Sequence, residues 1–224
     1  MNIWTIMIII MIISLLVQQI LQSRFNKYSK VRLPKGLTGA EVAQKMLHDH
    51  GIYDVKVVPT RGMLTDHFNP QTKTVALSEG VYSSQSVAAA AVAAHECGHA
   101  VQHAYGYGPL KMRSALVPVV SFASNTVQWI LLAGVIFFHT FPGLLWLGIA
   151  LFAMTTLFSF ITLPVEINAS ARAIGWLNQA GITDIQTRPM AIDALKWAAY
   201  TYVIAALSSL ATLLYYIGIA RNRD

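Results

Sequence analysis

His95-Glu96-Cys97-Gly98-His99 places two imidazoles four residues apart, with a carboxylate beside the first. On a helix this H-E-x-x-H spacing sets both rings on one face, one turn apart, where they can converge on a single cation. Zinc held there polarises a carbonyl and lowers the pKa of its water, while Glu96 takes the proton and later delivers it to the leaving amine. The pattern therefore points to metal-dependent hydrolysis of an amide. Cys97 lies about 200° round the helix from His95 and reads as a packing residue. Gly98 reads as a point of close helix approach.

A catalytic zinc takes three protein ligands and keeps one position open, so a third must come from elsewhere. His103 is near in sequence, but it lies about 12 Å beyond His95 along a helix rising about 1.5 Å per residue, too far to share one ion. The metzincin pattern needs glycine at 102 and histidine at 105, where this chain has Gln102 and Tyr105. Glu166 is the only acidic residue between Glu96 and Asp184. The expected metal set is His95, His99 and Glu166 around one zinc ion, although other divalent ions suit the same donors. The plain alternative for Glu166 is an interfacial carboxylate at a helix end after Pro164. His67, within Asp66-His67-Phe68-Asn69-Pro70, which reads as a turn, is a candidate donor to an oxyanion or to substrate backbone. A turn histidine held by local hydrogen bonds explains it equally well. Asn168 and Arg172 are candidates to line the cleft, with a solvated helix face as the plain alternative.

The elements that must position these residues are set by an apolar composition. Of 224 residues, 55% are hydrophobic and 12% charged, well beyond an ordinary soluble domain. Four stretches, 3–21 and about 116–138, 143–164 and 198–219, are long enough to cross a bilayer as helices. The first reads as an uncleaved anchor, because no basic residue precedes it and no small-x-small site follows. Arg24, Lys27, Lys30, Arg32 and Lys35 come directly after it, which puts its C-terminal end in the cytoplasm and the N-terminus outside. The second and third stretches are joined only by His139, Thr140, Phe141 and Pro142. They form a hairpin that returns Glu166 to the face where Lys111 and Arg113 mark its start, the side of His95 and His99. Arg172, Arg188 and Lys196 suit the same side, and Arg221 and Arg223 run against this orientation. A net charge of +6 follows from this topology, and no run interleaves basic and aromatic residues as a nucleic-acid surface does. A single cysteine, Cys97, excludes an intramolecular disulfide.

The expected organisation is a mainly α, multi-pass membrane protein with four transmembrane helices and a small α+β cytoplasmic unit. An anchor at 1–22 precedes the cytoplasmic unit at 23–113, which carries the motif helix. A transmembrane hairpin follows at 114–165, then a cytoplasmic helical segment with the third ligand at 166–196, and a last span and tail at 197–224. Within the cytoplasmic unit, Thr38 and Glu41 have capping-box spacing for a helix ending near His50, before Gly51. Residues 55–58 and 72–77 read as short strands. The second is a candidate to hold an extended substrate edge-on, with an ordinary paired strand as the plain alternative. Ser83 or Ser84 opens a helix over 87–103, whose alanines allow close packing.

His95-Glu96-Cys97-Gly98-His99-Ala100, with Leu163-Pro164-Val165-Glu166 and Asp66-His67-Phe68-Asn69-Pro70, resembles the YugP-like membrane zinc metallopeptidases, a neutral zinc peptidase family of bacteria, nearly end to end. By extension the layout is similar to the HtpX and CAAX prenyl protease group, in which two helical histidines and a distant glutamate bind zinc on the cytoplasmic side. The resemblance implies a zincin-like cytoplasmic unit and a gluzincin-like zinc metalloendopeptidase in a bacterial cell membrane, acting on protein or peptide substrates, membrane proteins among them. That group carries an acid four residues after the glutamate ligand. Here the position is Ser170, which leaves open what supports the histidines from behind. Two other classes compete. A catalytically silent metal-binding scaffold does not need a base beside the metal, as Glu96 is. A small transporter is signalled by charged residues in its spans, and no Lys, Arg, Asp or Glu lies well inside these.

Overall fold

Apolar runs longer than a soluble core requires fold here into long helices. The computed structural model describes residues 3–221; the first residues of the anchor and Arg223 lie outside them. Helices α1 (Ile3–Tyr28), α5 (Gly108–Ile136), α6 (Pro142–Gln179) and α7 (Arg188–Arg221) are each long and apolar enough to cross a membrane. α5 and α6 form the hairpin, and small residues bring their backbones together: a Cβ on Gly134 would lie 2.6 Å from the Cα of Leu145. α7 packs along α6, and α1 along α7.

The boundary expected between 165 and 166 falls inside α6, which passes through Pro164 without ending. Proline removes one backbone hydrogen bond, but a helix supported on both sides by neighbours tolerates the loss. With 38 residues, α6 is about 57 Å long at about 1.5 Å per residue, against about 30 Å of bilayer hydrocarbon. Its C-terminal part therefore reaches beyond a membrane crossed by its first part. The polar stretch after Glu166 becomes the end of α6, a turn at 180–187 and the start of α7. In that turn the Asp184 carboxylate accepts from the Gln186 and Thr187 amides at 2.9 and 2.7 Å.

The remaining elements form a small α+β unit: α2 (Gly39–Asp49), β1 (Lys56–Thr60), β2 (His67–Asn69), β3 (Thr74–Ser78), α3 (Glu79–Tyr82) and α4 (Val87–Ala104). The capping box forms as its spacing predicts: Thr38 N donates to Glu41 Oε2 at 2.7 Å, and Glu41 N to Thr38 Oγ1 at 3.3 Å. Gly51, at φ +71°, follows the end of that helix. The strands run in the order β1-β3-β2, with β1 parallel and β2 antiparallel to β3.

Within the stretch from Asp66 to Pro70, expected to be a turn, His67–Asn69 form a strand and Pro70 begins the turn. Phe68 packs against the core, opposite Val75 of β3, and the Asp66 carboxylate accepts from the Ser78 amide at 2.7 Å. The turn comes later, where Asn69 Oδ1 accepts from the Gln71 and Thr72 amides. β1 and β3 each begin a residue or two later than the sequence suggested. β3 is paired on both sides, so it has no edge to offer a substrate; the open edge on the cleft side belongs to β2.

Candidate metal centre

Two helices build the site. α4 starts at Ser86, whose hydroxyl accepts from the Ala89 amide at 3.2 Å, and its alanines 88–91, 93 and 94 are buried. Small side chains let α4 lie close to its neighbours, and Gly98 sets the closest approach, to α6. A Cβ there would lie 2.6 Å from the Ala169 carbonyl oxygen. That contact brings His95 and His99 of α4 against Glu166 of α6. His95 Nε2 is 3.2 Å and His99 Nε2 3.5 Å from Glu166 Oε2, and the three donor groups lie within 4.8 Å of one another.

Each histidine is held from behind. His95 Nδ1 is 3.0 Å from Ser170 Oγ, and His99 Nδ1 is 3.1 Å from Gln102 Oε1. Gln102 is fully buried, and its Nε2 donates to the Val165 carbonyl at 2.8 Å and to Asn168 Oδ1 at 3.0 Å. Arg172 Nε donates to the same Asn168 oxygen at 2.7 Å. This chain fixes each amide in turn: Asn168 must present its oxygen, so Gln102 turns its NH2 that way and its own oxygen toward His99. The network thus assigns the His99 proton to Nδ1 and leaves the Nε2 lone pair for a cation. Burial lowers the pKa of His99, but the bond to Glu166, the negative charges of Glu96 and Glu166 and the bond to Gln102 together outweigh it and hold His99 above the ordinary histidine value. Metal binding there displaces a proton.

The Glu166 carboxylate, buried to 4% exposure, is divided between two tasks. Oε2 faces the histidines, and Oε1 accepts from Arg113 Nη1 at 3.1 Å. Arg113 supplies positive charge at Oε1, and Oε2, facing the Nε2 atoms of both imidazoles, is placed to share a cation with them. This N/N/O donor set matches zinc's preferences, with a fourth side facing a cavity of about 390 Å³.

Glu96 lines that cavity beside the ligands. His67 also lines it, with Nδ1 2.8 Å from the Thr65 carbonyl, so it combines a cleft position with a local hydrogen bond. His103 lines the cavity too, with its ring against Phe68 and outside the ligand group. Asn168 and Arg172 are absent from the lining and stand behind His99. Cys97 is buried, with Sγ 3.5 Å from the Ala43 carbonyl. Tyr202 of α7 lines the cavity as well; the sequence assigns no site role to it, to Gln102 or to Arg113, and leaves the role of Ser170 open. Lys111 and Arg113 carried one signal, as cations at the start of a span, but it was read as topology alone.

Structural zinc sites close all four positions with protein ligands, so three donors beside an open cleft have the layout of a catalytic site and not of a structural one. The chain belongs to the family described as "Putative neutral zinc metallopeptidase", which matches residues 3–221. It is similar to the "Putative membrane protease YugP" of Bacillus subtilis (strain 168), with 45% identity over 201 residues, 90% of this chain and 88% of that protein. No solved structure matches the chain.

Proposed function

We propose that this chain is a gluzincin-like zinc metalloendopeptidase of the bacterial cell membrane, hydrolysing peptide bonds of protein or peptide substrates on the cytoplasmic side. The observation that carries the reading is the convergence of His95, His99 and Glu166 at one point, with Glu96 lining the same cleft. Zinc, when bound by those three residues, supplies a Lewis acid that polarises the scissile carbonyl and lowers the pKa of water. Glu96 takes a proton from the attacking water and passes it to the leaving amine, so no acyl-enzyme forms. Ser170 and Gln102 orient the imidazoles, and Arg113 fixes the Glu166 carboxylate.

The open edge of β2 beside the cleft suits an extended substrate, bound through its backbone with little demand on its sequence. His67 reaches an oxyanion only as the imidazolium, because in the neutral ring the proton sits on Nδ1 toward Thr65 and Nε2 is an acceptor. The unit at 23–113, the far end of α6 and the start of α7 form the water-facing part. The basic residues from Arg24 to Lys35 support its cytoplasmic placement.

Cleavage of an unstructured protein by the detergent-solubilised chain tests the reading. A chelator is expected to stop it and one equivalent of zinc to restore it, and Glu96→Gln is expected to cut about 10²–10⁴-fold more slowly. Cleavage that persists in the chelator would contradict it.

A further inference from the structure

A second cavity, of about 200 Å³, opens from the other side of the site and shares His95, Glu96, Asp66 and Tyr202 with the polar cleft. Its walls are mainly apolar, with Leu21 and Phe25 of α1, Val92 of α4, and Ala194, Leu195 and Ala198 of α7, and α1 adds the two amides of Gln18 and Gln22. The alanines of α7 create the space. α1 is pinned to α7 next to it, where Tyr28 Oη donates to Asp193 Oδ2 at 2.6 Å and Arg24 Nε lies 3.5 Å from the same oxygen. The anchor helix is therefore one wall of the site.

A separate observation concerns the mouth. Leu64 borders the chamber with its backbone at φ +58°, a left-handed conformation that a bulky residue adopts only at a cost. The turn that imposes it is held by Gly62, at φ +99°, and by the Thr65 hydroxyl donating to the Arg61 carbonyl at 3.1 Å. The side chain so presented is 60% exposed, an apolar group at the rim of an apolar chamber.

A peptide with its scissile bond beside Glu96 has the polar cleft on one side of that residue and the apolar chamber on the other. We propose that the chamber is a specificity subsite that takes one bulky apolar side chain, of Leu, Met or Phe size, from the substrate residue next to the scissile bond, with Leu64 closing over it. This rests on the peptidase reading above. The chamber selects by size and apolarity, while β2 holds the backbone without regard to sequence.

The test maps the cleavage sites made in an unstructured protein by the full chain, Ala198→Leu and Leu64→Ala, with the zinc content of each preparation measured alongside. Wild type is expected to cut with a bulky apolar residue on one fixed side of the bond. Ala198→Leu fills the chamber, so the ratio of cutting at Phe, Met or Leu to cutting at Ala, Gly or Ser is expected to fall at least about 10-fold. Leu64→Ala is expected to lower the same ratio through KM, and it decides the matter if Ala198→Leu loads no zinc. Wild-type sites without a fixed preference, or an unchanged ratio in the zinc-loaded variants, would overturn the subsite and leave the peptidase standing. A zinc-loaded wild type that cuts nothing would overturn both.

Discussion

At the scale of single residues, the proposed zinc site rests on side chains outside its ligand set. Ser170 and Gln102 each hold one Nδ1, and outer partners of this kind are worth about 10–100-fold in metal affinity. Ser170→Ala and Gln102→Ala are each expected to weaken zinc binding by about that factor in a competition titration. Asn168→Ala is expected to weaken it less, because it removes one of the two acceptors of the Gln102 amide and the Val165 carbonyl keeps the other. An Asn168 variant that changed KM alone, with zinc affinity intact, would put that residue back in the cleft. His95, Glu96 and His99 were legible because their chemistry is written in five consecutive residues. Glu166 was legible by elimination, as the one acid in a long apolar stretch. Gln102, Arg113 and Tyr202 were not: Gln102 stands three residues from His99 but is aimed by Val165 and Asn168 of α6, Arg113 meets Glu166 53 residues away, and Tyr202 reaches the cleft from α7.

At the scale of elements, the α4–α6 contact decides whether the ligands meet. Gly98→Ala places a methyl group against the Ala169 carbonyl with no flexible side chain to give way. It is expected to destabilise the fold by about 1–3 kcal/mol, seen as a lower thermal midpoint in detergent. Zinc affinity should fall with it, since His95 and His99 would be pushed away from Glu166. Wild-type values for both would show that the two helices are not in contact there. The capping box at Thr38 was readable because it is a local pattern four residues long. β2 was not: Asn69-Pro70 signals a turn, and only the distant pairing with β3 makes the preceding residues a strand. The continuity of α6 through Pro164 was hidden for the same reason, because its neighbours, and not its own sequence, make the proline tolerable.

At the scale of the molecule, four apolar helices and the run of cations after α1 fit the proposed orientation, with the α+β unit in the cytoplasm. The native chain suits a thiol-labelling test, because its one cysteine, Cys97, is 0% exposed. In intact cells a membrane-impermeant maleimide is expected to label Thr140→Cys, at the exposed tip of the hairpin, and not Tyr53→Cys, in the α+β unit. The reverse result would place the active site outside. The four long apolar helices were plain from the length of the apolar runs. How α1 and α7 wall the site was not, because helices that all face lipid or each other carry no periodic signal to say which faces meet.

In the proposed mechanism His95, His99 and Glu166 hold one catalytic zinc for Glu96 to work beside. The most direct measurement takes zinc content and cleavage of an unstructured protein on the same detergent preparations of wild type, Glu96→Gln and Glu166→Ala. About one zinc is expected in wild type and in Glu96→Gln, little in Glu166→Ala, and chelator-sensitive cleavage in wild type alone. A wild type without metal, or a Glu166→Ala variant that keeps its zinc and its activity, would contradict the account.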